Sequence, residues 1–140
     1  MEINISYYYW HEVMGPMVYF SNGKFQINEE NLLLLLSSVE PYTTSNESTI
    51  SGPYYVENQV IMAYNRSLNY PDAHDERLRL MGTDSWVIIS CKQDNELVLL
   101  SMCEIIKMIL DVEFGIIDEV SQLETIMAER SANAIKNLFN

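Results

Sequence analysis

Ile3-Asn4-Ile5-Ser6-Tyr7-Tyr8-Tyr9-Trp10 is the stretch that decides the fold. The segment Ile3–Val13 is rich in β-branched and aromatic residues, the composition of a strand. In a strand, Ile3, Ile5, Tyr7 and Tyr9 line one face and Asn4, Ser6, Tyr8 and Trp10 the other. Both faces carry large aromatics toward the end of the strand, so both are expected to be covered. That requires a sheet with helices on each side, not a sheet with one face in water.

Working outward, Gly15-Pro16 is expected to form the tight turn that ends this strand. Met17–Phe20 resumes an apolar β pattern, and Ser21-Asn22-Gly23-Lys24 is a second turn signal. Asn28 is an N-cap, with Glu29 and Glu30 in the first turn, where the helix dipole favours anions. Leu32–Leu36 and Val39 continue that helix until Pro41 stops it. Five consecutive leucines exceed a one-sided stripe, so more than one face of the helix is expected to be covered.

Tyr42–Ser51 reads as a polar loop, followed by Gly52-Pro53. Tyr54–Val56 and Val60–Tyr64 are short strands around a Glu57-Asn58-Gln59 turn. Gly15-Pro16-Met17-Val18-Tyr19 and Gly52-Pro53-Tyr54-Tyr55-Val56 are alike, but one such coincidence is too short for a repeat. Asn65–Ser85 is the longest polar region and is expected to be a long connection, with Leu78 and Leu80 pinning its end. Trp86–Cys91, an uninterrupted Trp-Val-Ile-Ile-Ser-Cys, is the clearest central strand. Asp94 or Asn95 caps the next helix. From Leu97 to Val112 that helix is apolar nearly all round, so it is buried on several sides or covered by a partner. Phe114-Gly115 breaks it. Ile116, Val120, Leu123, Met127, Ala134 and Leu138 then make a stripe along a final amphipathic helix.

The chain has 140 residues, 48% hydrophobic and 20% charged, which fits one domain spanning 1–140 with a single good core. Its net charge of −12 is spread over both halves. Such a surface repels phosphate backbones and anionic headgroups, which argues against nucleic acid, and it attracts a partner with a basic patch. Solubility alone is the plainer reading of the same acidity. Met1-Glu2-Ile3-Asn4 lacks the basic and apolar regions of a signal peptide. Leu97–Leu110, interrupted by Glu104 and Lys107, is too short to span a bilayer. A cytoplasmic protein without direct membrane insertion is expected.

No catalytic signature is present. GxxxxGK[ST], GxGxxG and GxSxG are all missing. Cys91 and Cys103 allow at most one disulfide and are expected to be two buried thiols. His74 with Asp72, Asp75 and Glu76 would hold a cation only loosely, and a solvated acidic loop explains the same residues. Paired carboxylates such as Glu29/Glu30 and Asp118/Glu119 fall at helix starts, where capping accounts for them. Nine tyrosines, among them Tyr7, Tyr8, Tyr9, Tyr19, Tyr54, Tyr55 and Tyr64, either fill a β core or supply a binding surface. An alternative function follows from them: a profilin-like or PAS-like sensor, with a small ligand in an aromatic pocket under the Asn65–Ser85 segment.

The order of elements, β-β-α-β-β-β-α-α, and the segment Tyr8-Tyr9-Trp10-His11-Glu12-Val13-Met14-Gly15-Pro16-Met17-Val18-Tyr19 resemble the longin domain. That family is related to the roadblock and profilin-like platforms, and its small-GTPase regulators often place a Gly-Pro turn before an apolar strand. A roadblock domain proper opens with a helix, whereas this chain opens with a strand. The resemblance implies an α+β sandwich: a five-stranded antiparallel sheet with one helix on one face and two C-terminal helices on the other. It further implies a non-catalytic adaptor with no cofactor and no metal. Such a module forms a homo- or heterodimer and binds a small GTPase or a longin- or roadblock-like subunit. Archaeal proteins of similar design stand alone. The residues assigned to a partner are Tyr7, Tyr9, Ile116, Val120, Leu123 and Met127.

Overall fold

In the computed structural model, which describes residues 1–39 and 47–140, the first strand has neighbours on both edges. β1 (Asn4–His11) lies between β2 (Gly15–Asn22) and β5 (Thr83–Lys92). Beyond β5 come β4 (Gln59–Leu68) and then β3 (Thr49–Val56), giving the order β2-β1-β5-β4-β3. Every neighbouring pair is antiparallel. β1 and β5 hold the middle because their alternating residues are apolar on both sides.

One face gathers Ile3, Ile5 and Tyr7 with Val60, Met62, Tyr64, Val87 and Ile89. α4 (Cys103–Phe114) and α5 (Thr125–Asn137) close it through Ile106, Leu110, Phe114, Ala128, Ala132 and Ile135. The other face gathers Tyr8, Ile61, Ala63, Trp86 and Ile88 under α1 (Glu29–Ser38), which contributes Leu32, Leu35 and Leu36 with Val39 behind them. The chain is thus an α+β sandwich, helices on both faces of a five-stranded antiparallel sheet, as the doubly aromatic first strand requires. Each fully buried Ile, Val or Leu contributes about 1.5–3 kcal/mol.

Asn28 caps α1 as expected, its Oδ1 accepting the Asn31 amide at 2.8 Å. Only one side of that helix is covered, however. Leu33 and Leu34 are exposed, because Leu32, Leu35 and Leu36 already span the arc that faces the sheet. The expected stop at Pro41 and the first part of the Tyr42–Ser51 loop lie outside the described residues.

Gly15-Pro16 is not the first turn. The turn is Glu12-Val13-Met14, where His11 Nδ1 accepts the amides of Val13 (3.1 Å) and Met14 (3.2 Å). Gly15 and Pro16 begin β2, opposite His11 and Trp10. Gly52-Pro53 likewise lies inside a strand, at an irregularity in β3 between Ser51 and Tyr54. Both Gly-Pro pairs therefore sit in the two edge strands, where proline's missing N–H is tolerated. Gly52 has φ +126, and a Cβ there would come within 2.8 Å of the Ile61 carbonyl, so only glycine fits.

The polar region Asn65–Ser85 is mostly regular structure. β4 runs to Leu68, and β5 starts at Thr83. Between them stands a short helix, α2 (Glu76–Met81), which buries Leu78 but not Leu80. Asn65 and Arg66 are buried in the sheet with partners for part of their polar groups: Asn65 Nδ2 donates to the Ser85 carbonyl and Arg66 Nη2 to that of Gly115, while Asn65 Oδ1 and Arg66 Nε have none among the described residues.

The helix expected over Leu97–Val112 is broken at Met102 into α3 (Glu96–Ser101) and α4. Asn95 precedes α3 without a side-chain cap bond. In the last helix the buried residues are Ala128, Ser131, Ala132 and Ile135, not the stripe that includes Ala134. Ala134 is exposed, and Val120 belongs to a short 3-10 turn before α5. No helix among the described residues is long and apolar enough to cross a membrane.

Candidate functional site

The six residues assigned to a partner do not form one surface. Tyr7 has no exposed area; its hydroxyl pairs with Ser131 Oγ at 2.6 Å, and its ring lies 5.8–6.0 Å from those of Tyr19, Phe20 and Phe114. Burial pushes the Tyr7, Tyr19 and Tyr64 hydroxyls well above the usual tyrosine range. Tyr9 is half-buried between Tyr19 and Tyr70, its hydroxyl 3.4 Å from the Met17 sulfur. Val120, Leu123 and Met127 are half-buried against the main core. Of the six, only Ile116 is fully presented to solvent. On this face Tyr19 packs against both Tyr7 and Tyr9.

Two recesses lie elsewhere on the surface. One of about 300 Å³ is lined by Met1, Ile3, Lys24 and Lys136 at the chain ends, and one of about 280 Å³ by Tyr8, Val18, Ile27 and Leu32 beside β2. Both are half-open to solvent. His74 is tied down through its backbone amide, which donates to both carboxylate oxygens of Glu12 at 3.0 and 2.8 Å. Among the described residues no three His, Cys, Asp or Glu side chains converge on a metal-sized space. Cys91 is buried and Cys103 half-buried, and both are free. Burial, with Glu96 nearby, pushes the Cys91 thiol up to about 11; burial, with Glu104, also raises that of Cys103. Both thiols are therefore protonated at neutral pH and poor nucleophiles.

The feature that does stand out is on α3 and α4. Their inner side buries Leu99, Ile106, Leu110 and Phe114. Their outer side carries Leu97, Ile105, Met108, Val112 and, just past the helix end, Ile116. Met108 is 67% exposed, Val112 and Ile116 79% and Leu97 81%. Spacings of three and four residues place Ile105, Met108 and Val112 in one row on α4, and Ile116 follows in the turn past its end. Scattered exposed apolar residues are ordinary; several large ones along one helix face are less so. The sequence signal was there, in the second apolar row opposite the buried one. A helix apolar on nearly all sides is either buried on several sides or covered by a partner, and the sequence does not say which of its residues face outward.

Asp111 fixes the orientation of this helix. It accepts from Tyr64 (2.8 Å), Lys107 (2.9 Å) and Ser48 (2.5 Å), tying α4 to β4 and to the start of β3. Partial burial works to raise its pKa, but the bonds from Ser48, Lys107 and Tyr64 outweigh that and hold the carboxyl below its usual range. Arg130 on α5 makes a two-bond pair with Glu113 on α4 at 3.0 and 2.9 Å. The row is thus mounted on a helix anchored from both sides. Compared with known proteins, the chain matches no family model and no curated relative.

Proposed function

We propose that this chain is a longin-like, roadblock-related interaction module of the cytoplasm, a non-catalytic adaptor that binds a small GTPase or a homologous subunit. The observation that carries the reading is a sheet clothed on both faces that still leaves a row of large apolar side chains in water. A domain whose core is complete without Leu97, Met108, Val112 and Ile116 has another use for them. The sandwich itself, with α1 on one face and the C-terminal helices on the other, supports the longin comparison. β2 and β3, each paired on one side only, offer two further free edges.

Light scattering after size exclusion, at several protein concentrations and with candidate small GTPases in both nucleotide states, tests this reading. A co-eluting complex or a dimer near twice the monomer mass is expected. A monomer that shifts with no GTPase and no homologous subunit would overturn it.

A further inference from the structure

The exposed row on α3 and α4 has a charge environment that selects its occupant. Glu96, Glu104, Asp111, Glu113, Asp118 and Glu119 belong to the segment that carries it, against Lys107 alone. Lys107 is already paired with Asp111, and Arg130 from α5 answers only Glu113. Glu104 and Asp111 stand seven residues apart, hence on the same flank of the row. Asp111 is occupied by Lys107, Tyr64 and Ser48, which leaves Glu104 as the exposed carboxylate on that flank. Two copies would each bring a net charge of −12. A second copy of this chain is therefore a poor fit, whereas a helix whose apolar face is bordered by Lys or Arg meets both the ridge and its rim.

We infer that the outer face of α3 and α4 docks an amphipathic helix with basic flanks, its apolar side laid along Ile105, Met108, Val112 and Ile116. The inference deepens the interaction-module reading and rests on it: it names the surface and the chemistry of the partner. The mode is helix against helix, with anchors three and four residues apart on both sides.

The test uses the full chain and a labelled model peptide, a helix with a leucine face flanked by lysines. An isomer carries glutamates at the flanking positions. Fluorescence anisotropy in about 150 mM salt, where exposed charges beyond about 8 Å are screened, reads the affinity. The lysine peptide is expected to bind saturably and the glutamate peptide not at all. Met108→Glu, at an exposed position, is expected to weaken binding at least tenfold although it makes the protein more acidic. Leu34→Glu, on the exposed side of α1, is the control and is expected to change nothing. Unchanged or tighter binding by Met108→Glu would mean charge alone drives the contact, and would overturn the inference. So would equal binding of both peptides, no binding of either, or a concentration-dependent dimer that Met108→Glu disperses. Running the GTPase and subunit co-elution on the same variants separates the two readings. A complex that forms there while the peptide fails overturns the docking site and leaves the interaction module standing.

Discussion

Asp84 shows how a single residue is held against its preference. It lies on β5 opposite Ser67 of β4, and Ser67 Oγ donates to it at 3.3 Å. Burial pushes its carboxyl up to about 6, and hydrogen bonds from Ser67 and Asn65 only partly oppose that. A raised carboxyl pKa means the folded state takes the proton more readily than the unfolded chain. The associated stability is fully present below about 3.8 and is lost as pH rises through about 6. At neutral pH the ionised group is a net cost. Asp84→Asn is therefore expected to stabilise the domain at pH 7 by about 1 kcal/mol, once the solvent that still reaches the group is discounted. The advantage should shrink as pH falls through 6 toward 5, read from urea unfolding at each pH. An advantage that grew on acidification would mean that Asp84 is a stabilising anion, with its pKa lowered by a partner.

At the scale of elements, β5 is the strand on which both layers depend. Val87 is 3% exposed and faces Tyr7 of β1 and Tyr64 of β4 across the two ladders. Val87→Asp buries a carboxylate, and the cation on that face of β4, Arg66, already donates to the Gly115 carbonyl. The cost is several kcal/mol, most of the roughly 5–15 kcal/mol that holds a domain together. Circular dichroism should show a protein unfolded or nearly so at 25 °C; a well-folded variant would remove Val87 from the core. This element was legible in the sequence because six consecutive residues, Trp86–Cys91, favour burial on both faces. The extent of its neighbour β4 was not, because Asn65 and Arg66 are polar yet buried, and their partners at Ser85 and Gly115 are distant in sequence. The register of α5 was hidden for a related reason. Ala128, Ser131 and Ala132 are small, so they add little to an apolar stripe, but smallness lets the helix approach the sheet. The break at Met102 has no glycine or proline to announce it. For the candidate site, composition showed an excess of apolar residues on α3 and α4, but which of them face outward depends on where the sheet lies. Tyr7 follows the same rule: its strand position is legible, while core and binding surface both stay open for it until the place of the helices is known.

For the whole molecule, charge makes the two kinds of assembly respond oppositely to salt. Two copies at −12 repel one another, and added salt screens that repulsion. An exposed apolar ridge is insensitive to screening, so salt leaves the attraction between copies intact while removing what opposes it. A basic partner behaves the other way, because its electrostatic attraction is what salt removes. Raising sodium chloride from about 50 to about 500 mM shortens the screening length from roughly 14 to roughly 4 Å. Over that range any self-association is expected to strengthen severalfold in sedimentation equilibrium. The complex with the lysine-flanked helix is expected to weaken by tenfold or more, mainly through slower association. If both strengthened together, the ridge would be binding through its apolar atoms alone, and the acidic rim would have no part in choosing the partner. If both weakened, self-association would have to run through a contact between opposite charges and not through the ridge.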